Sequence, residues 1–355
     1  MTVQLRIVLD QAGVDADEAS AGLALAEGLI RTAPRGCAVS AIAPNGSELD
    51  LDGLHEVRRL ALARRELAAA WQMGIAAGAG GGLIHAPSLM APLVRHDRVH
   101  DHDQTTVTLW DLTAWESPDL LPKAQVLWQR AMLKRAVKHA DAVVVPSHAL
   151  ASRLVEIAPL GDRVRVIAGA APTGFTQAVD AGRLPAGLRL RRRYVVLTGD
   201  AGSLHEGFRA AAAADVDAVV LDVAEGAEAE VTDVARAAGL DEQRVHLAGA
   251  MPDATRATVL SRAEVLAATS TAMTWPWRVV EAMELAKPIV AVDSAVHQDV
   301  IADGGAVVAS TELTDALVDA LGGGAQRLHV LASDRARAFS WPSAAERVWA
   351  LHAEL

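Results

Sequence analysis

The chain has 355 residues, 51% of them hydrophobic and 22% charged, with a formal net charge of −11 and a single cysteine. Such a chain buries a substantial core, and its length favours two domains of ordinary size over a disordered or fibrous protein. The acidic balance argues against a dedicated nucleic-acid binder, and the lone Cys37, inside the apolar run CAVSAIA, excludes an internal disulfide framework.

The first ten residues, MTVQLRIVLD, place charges within the first apolar stretch, and no apolar run approaches the roughly 20 residues of a membrane span. The expected location is cytoplasmic. Strand candidates then follow in order as LRIVLD, CAVSAIA, VRRLAL, GLIHAP, TVTLWD, AVVVPS and VRVIAG, with helical spacing over Asp17 to Ile30, Arg64 to Ala77 and Leu127 to Ala140. This is the pattern of parallel strands joined by helical crossovers. The glycine run Gly78 to Gly82 precedes a strand instead of opening a helix, so it lacks the order of a dinucleotide fingerprint or a P-loop.

The loop from Ala171 to Leu188 leads into an arginine cluster, Arg189 and Arg191 to Arg193, read either as a solvated interdomain segment or as a phosphate or headgroup patch. Alternation then starts afresh with YVVLTG, AVVLDV, VHLAG, VLAATS, PIVAVDS and AVVAS. The last ~30 residues read as helix with a break at Trp341-Pro342, because proline lacks a donor. The expected layout is a first Rossmann-like domain over 1–172, a linker over 173–192, a second such domain over 193–338, and a terminal helix over 339–355 that returns to the first domain. Sheets of this kind bind ligands outside the carboxyl ends of their strands.

The segment Ala140 to Phe175, ADAVVVPSHALASRLVEIAPLGDRVRVIAGAAPTGF, together with LIHAPSLMAPL at Leu83 to Leu93 and VVEAMELAKPIVAVDSAVHQDVIADGGAVV at Val279 to Val308, resembles family 4 glycosyltransferases, including actinobacterial members. The resemblance spans nearly the whole chain in the expected order. It implies a GT-B fold, two doubly wound parallel-sheet α/β domains facing across a cleft, with a nucleotide-diphosphate sugar held by the second domain and an acceptor approached from the first. No cofactor is implied beyond that co-substrate, and no metal.

Transfer from a nucleotide sugar needs a grip on the ribose and base, stabilisation of the departing diphosphate, and orientation of the sugar. The resemblance implies that Glu281, heading Glu-Ala-Met, accepts hydrogen bonds from the ribose hydroxyls. It also marks departures. Met273 stands where a sugar-binding glutamate is expected, and Thr274-Trp275-Pro276-Trp277-Arg278 replaces a glycine-rich turn, so Trp277 lines the donor side and Arg278 is a candidate phosphate cation. After Gly199, which closes YVVLTG, His205 and Glu206 replace an arginine and lysine. In the first domain Trp110-Asp111 replaces a His-Asp pair, which leaves Asp111 as the catalytic candidate and Trp110, with His85, as acceptor-side candidates.

The run His96 to Asp103, with its histidines and aspartates, reads either as a solvated acceptor-side loop or as a chelating site. Lys123, Arg130, Lys134, Arg135 and Lys138 lie on one expected helix, where 130, 134 and 138 share a face suited to an anionic membrane. Three function classes compete. The first is a glycosyltransferase moving a hexose to a glycan or lipid-linked acceptor, retaining and metal-independent, from GDP-mannose, UDP-glucose or a related donor. The second is a catalytically degenerate GT-B subunit that supports a second, active glycosyltransferase. The third, a nucleotide-sugar epimerase, requires a different set of acidic and histidine residues.

Overall fold

The computed structural model describes residues 2–10, 15–97, 102–176, 188 and 193–355. By its internal contacts the chain falls into two units, one made of 1–170, 273–275 and 340–355, the other of 171–272 and 276–339.

In the first unit the chain runs β1 (Val3–Val8), α1 (Ala16–Arg31), β2 (Cys37–Ala43), β3 (Val57–Arg59), α2 (Arg64–Gln72), β4 (Leu83–Ala86), β5 (Gln104–Thr108), α3 (Thr113–Glu116), α4 (Lys123–His139), β6 (Ala142–Val145), α5 (His148–Ile157) and β7 (Val164–Val166). The strands form one seven-stranded sheet in the order β3-β2-β1-β4-β5-β6-β7, and every pairing is parallel. Central strands covered on both faces need continuous apolar runs, and Ala142–Val145 is buried at every position. The edge strand β3 instead carries exposed Arg58 and Arg59, charges that discourage pairing with another sheet.

Helix starts are written in the sequence. Asp15 accepts the Asp17 amide ahead of α1, whose first turn is acidic and whose last carries Arg31. Ser147 accepts the Leu150 amide at α5. Helix α2 ends at Gln72, short of the expected Ala77, because Gly74 adopts φ 82° and turns the chain.

The second unit runs β8 (Tyr194–Thr198), α6 (Leu204–Ala213), β9 (Asp217–Val220), α7 (Glu228–Ala237), β10 (Val245–Leu247), α8 (Asp253–Arg262), β11 (Leu266–Ala268), α9 (Trp277–Glu284), β12 (Ile289–Val292), α10 (Ala295–Ile301), β13 (Ala306–Val308), α11 (Leu313–Leu321) and α12 (Ala325–Ala336). Its six parallel strands take the order β10-β9-β8-β11-β12-β13, the doubly wound arrangement with a switch point between β8 and β11. Alternation along β8 builds both faces: Tyr194 and Val196 pack with Val259, Val279, Met283 and Ala332, while Val195 and Leu197 pack with Phe208, Val231 and Leu317.

The last helix, α13 (Trp341–Glu354), belongs to the first unit and packs on α1. Gly28 permits the approach, since a Cβ there would lie 2.9 Å from the Trp341 carbonyl oxygen and 3.1 Å from Ala345 Cβ. Trp349 Nε1 donates to the Leu29 carbonyl at 3.2 Å. The expected helix break sits slightly earlier than Trp341-Pro342: α12 stops at Ala336, Ser340 caps the new helix, and Pro342 lies in its first turn, where a missing N–H costs no hydrogen bond.

Candidate functional site

At the carboxyl edge of the second sheet, β8 ends in Gly199 and turns into α6. A Cβ on Gly199 would lie 2.4 Å from both Ser203 Oγ and Thr269 Oγ1, so only glycine fits between these hydroxyls. The turn is held by Asp200, whose carbonyl accepts from Ser203 N at 3.0 Å and Leu204 N at 3.1 Å and whose Oδ1 accepts from Ser203 N at 3.0 Å. His205, in the first turn of α6, contacts Glu206 through Nδ1 at 3.1 Å, and Glu206 also pairs with Arg209. Glu206 thus has two basic neighbours.

The same unit holds a buried ion cluster. Glu281, 1% exposed on α9, accepts at Oε1 from Arg256 Nη2 at 2.7 Å and Arg278 Nη1 at 2.6 Å, and at Oε2 from Arg256 Nε at 2.8 Å. Arg278 continues outward to Asp222, with Nε 2.7 Å from Oδ2 and Nη2 3.3 Å from Oδ1. Arg256 also reaches Asp253 Oδ1 at 2.7 Å and the Met251 carbonyl at 3.1 Å, with its guanidinium carbon 5.7 Å from the Phe175 ring centre. Glu281, expected as the ribose ligand, therefore has the geometry of a fixed counter-ion to two guanidinium groups. Arg278 is buried and reaches outward through its forked contact with Asp222. Trp277 opens α9 as its first residue.

Met273 lies elsewhere. Residues 273–275 group with the first unit, where Leu112 N donates to the Met273 carbonyl at 2.8 Å, Trp275 N to the Trp110 carbonyl at 2.9 Å, and Asp111 and Thr274 form an antiparallel bridge. Residues 273–275 are thus joined through their backbone to residues 110–112. Trp110 is 4% exposed and its indole N–H donates to the Pro87 carbonyl at 2.8 Å, while Asp111 Oδ1 accepts from Thr113 N at 2.8 Å.

His85, placed on the acceptor side from sequence, is fully buried on β4. Its Nδ1 lies 2.8 Å from Thr106 Oγ1, which is 3.3 Å from Nε2 of His352, whose Nδ1 is in turn 2.9 Å from Gln104 Oε1. Burial pushes His85 down to about 3 and His352 to about 4, so both rings are neutral at ordinary pH. Sequence reasoning missed Glu18, near the start of α1. Burial first, and then the charges of Asp111, Asp15 and Asp17, raise its carboxyl to about 8. It missed Arg256 and Asp222 as well; the one available signal was a basic residue within a helix whose neighbours Ala257, Val259 and Leu260 form core.

In the histidine-rich loop, His96 Nε2 meets Asp141 Oδ2 at 2.9 Å, a hydrogen bond that raises its pKa against the effect of burial. Asp103 accepts from the Gly82 amide. His100, Asp101, Arg189, Arg191 and Arg192 lie outside the described residues, and among the described residues no group of three or more potential ligands is placed to hold a metal ion. On α4, Arg130 Nε donates to the Ala114 carbonyl and Arg135 Nε to that of Leu93, so these two cations serve the fold, while Lys123, Lys134 and Lys138 are exposed beside Leu127. A depression of about 530 Å³ lined by Leu23, Glu48, Leu49, Asp50 and Arg59 contains none of the expected site residues.

Residues 202–323 match the family model described as glycosyl transferases group 1. No curated protein matches the chain. Among solved structures, a sucrose-phosphate synthase from Thermosynechococcus elongatus is similar at 17% identity and a TM-score of 0.68, covering 99% of this chain and 98% of that one. Anabaena HepE, in complex with UDP and glucose, is similar at 17% identity and 0.67, covering 99% and 100%. A trehalose 6-phosphate synthase from Burkholderia multivorans gives 14% and 0.64, covering 100% and 99%. With two parallel-sheet units of seven and six strands, the chain has the two-domain Rossmann-like GT-B fold.

Proposed function

We propose that the protein is a glycosyltransferase that moves a hexose from a nucleotide-diphosphate sugar to a glycan or lipid-linked acceptor, with retention of configuration and without a metal ion. The observation that carries this reading is the carboxyl edge of the second sheet, most of which lies within the region matched by the group 1 model. Just ahead of that region Gly199 turns β8 tightly into α6, and within it Arg278 stands in the first turn of α9. Arg278 supplies the fixed positive charge that a departing diphosphate requires, and Glu281 with Arg256 holds that side chain in place. Likeness to sugar-phosphate synthases and to a UDP-bound protein supports a nucleotide sugar as donor. Asp111 is the acceptor-side carboxylate, and exposed Lys123, Lys134 and Lys138 offer peripheral contact with an anionic membrane.

A second reading, a GT-B subunit that supports another transferase, is favoured by Trp110, whose buried indole fills the place of a histidine and is bonded to Pro87. Titration of the purified chain with UDP-, GDP- and dTDP-sugars, followed by assay of nucleoside diphosphate release, separates the two. Saturable binding with release supports the enzyme, binding without release supports the subunit, and absence of binding to every donor sinks the transferase reading.

A further inference from the structure

Asp222 has a place in the second unit that the sequence motifs do not assign. It lies two positions beyond β9, the second strand of a β8-α6-β9 unit, with φ +60°, and its side chain is 44% exposed. That backbone region is uncommon for a residue other than glycine, although aspartate tolerates it better than most, and such conformations cluster at ligand sites. Its partner is Arg278, which follows β11. Because β8 lies between β9 and β11 in the sheet, the Asp222–Arg278 fork joins the segments that follow the two strands flanking β8.

In the dinucleotide-binding version of a doubly wound sheet, a phosphate chain sits at the glycine turn after the first strand, and an acidic residue just after the second strand, about 20 residues further on, accepts the ribose 2′-hydroxyl. Asp222 follows the Gly199 turn by roughly 20 positions and lies just beyond the corresponding strand. Its two oxygens each accept one hydrogen bond from Arg278, and a carboxylate has about four acceptor sites. Glu281, by contrast, is 1% exposed and engaged by two guanidinium groups.

The geometry points to Asp222 as the residue that accepts the ribose 2′-hydroxyl of a bound nucleoside diphosphate, with Arg278 beside it on the diphosphate and Glu281 serving as the counter-ion that fixes Arg278. The two ends of the ion pair match the two halves of the ligand, a hydroxyl donor and a diphosphate anion. This assignment rests on the transferase reading above, which places the donor in this unit.

The test is calorimetric titration of the full chain with UDP, GDP, dUDP and dGDP. Asp222→Gly removes the side chain while suiting the positive φ, and Asp222→Asn keeps its shape. The wild type is expected to bind one ribonucleotide about 10-fold more tightly than its 2′-deoxy form, the effect of one hydrogen bond to a charged acceptor. In D222G that ratio falls to about 1 because the ribonucleotide weakens while the deoxynucleotide changes little, and D222N gives an intermediate ratio. A full ribose preference retained in both variants overturns the assignment and leaves the transferase reading standing. Absence of binding of any diphosphate to the wild type overturns both.

Discussion

The backbone amide of Trp275 donates to the carbonyl of Trp110 at 2.9 Å, and both indoles close over Gly169, where an added Cβ would lie 3.0 Å from Trp110 Cζ3 and 3.1 Å from Trp275 Nε1. Trp110 and Trp275, far apart in the chain, therefore belong to one structural feature, with both indoles buried beside Gly169.

Trp275→Ala should remove about 3–5 kcal/mol of stability, the cost of deleting a large buried aromatic and leaving its cavity. Urea unfolding followed by far-UV circular dichroism measures this. A loss below about 1 kcal/mol would mean that the indole is held at the surface and that the segment 273–275 does not dock on Trp110.

Glu281→Ala should destabilise the protein by about 3–5 kcal/mol, because it leaves two buried guanidinium groups without their shared carboxylate. Replacing Arg256 and Glu281 together by methionine should recover part of that loss, since the bidentate pair goes at once while Arg278 keeps its contact with Asp222. Strict additivity of R256M and E281M in chemical denaturation would show that the two residues are not coupled.

The strands of both sheets were within reach of the sequence because apolar runs of four to six residues, separated by helical spacing, signal buried parallel strands. All thirteen strand candidates lie on observed strands, with ends displaced by a few residues where pattern gives no boundary. The site was less legible. Glu281, Arg278 and Gly199 stood out by motif, but their partners did not: Arg256 is an arginine in an otherwise apolar helix face, and Asp222 is one aspartate after one strand. Sequence spacing carries no information about which helix faces meet across a sheet edge, so the Arg256–Glu281–Arg278–Asp222 chain emerges only in three dimensions. His85 shows the same limit: its full burial beside Thr106 and the ring of His352, inside the first unit, is not written in the sequence of its strand.

That histidine pair makes stability pH-dependent with a defined sign. His85 and His352 have folded-state pKa values of about 3 and about 4, below the usual 6.5, so neutral rings are favoured in the folded protein. Their contribution is fully present above pH 6.5 and is lost as pH falls towards 4 and 3. Unfolding free energy should therefore drop across that window, by at most about 8 kcal/mol from these two groups together. In His85→Gln/His352→Gln the slope between pH 6.5 and 4 should flatten, as read from urea midpoints at each pH. An unchanged slope would assign the acid sensitivity to other groups.

Glu18 acts in the opposite direction. Its carboxyl is raised to about 8, chiefly by burial and then by Asp111, so the folded state binds its proton more tightly than the unfolded state does. Stability from this group is fully present below pH 4.5 and is lost as pH rises through 8, the reverse of the histidine effect. Glu18→Gln keeps the size and a hydrogen-bonding head but removes the titration. The variant should be more stable than the wild type at pH 8.5, by about 1–3 kcal/mol because the side chain is only partly enclosed, and should match it at pH 4.5. The same protonation bears on the acceptor side, where a neutral Glu18 beside Asp111 spares that carboxylate a like-charge neighbour at neutral pH. If transfer is detected, its rate should fall above pH 8 in the wild type and stay level in E18Q. Equal wild-type and E18Q stability at pH 8.5, with parallel rate profiles, would show that Glu18 is ionised throughout and that Asp111 works without it.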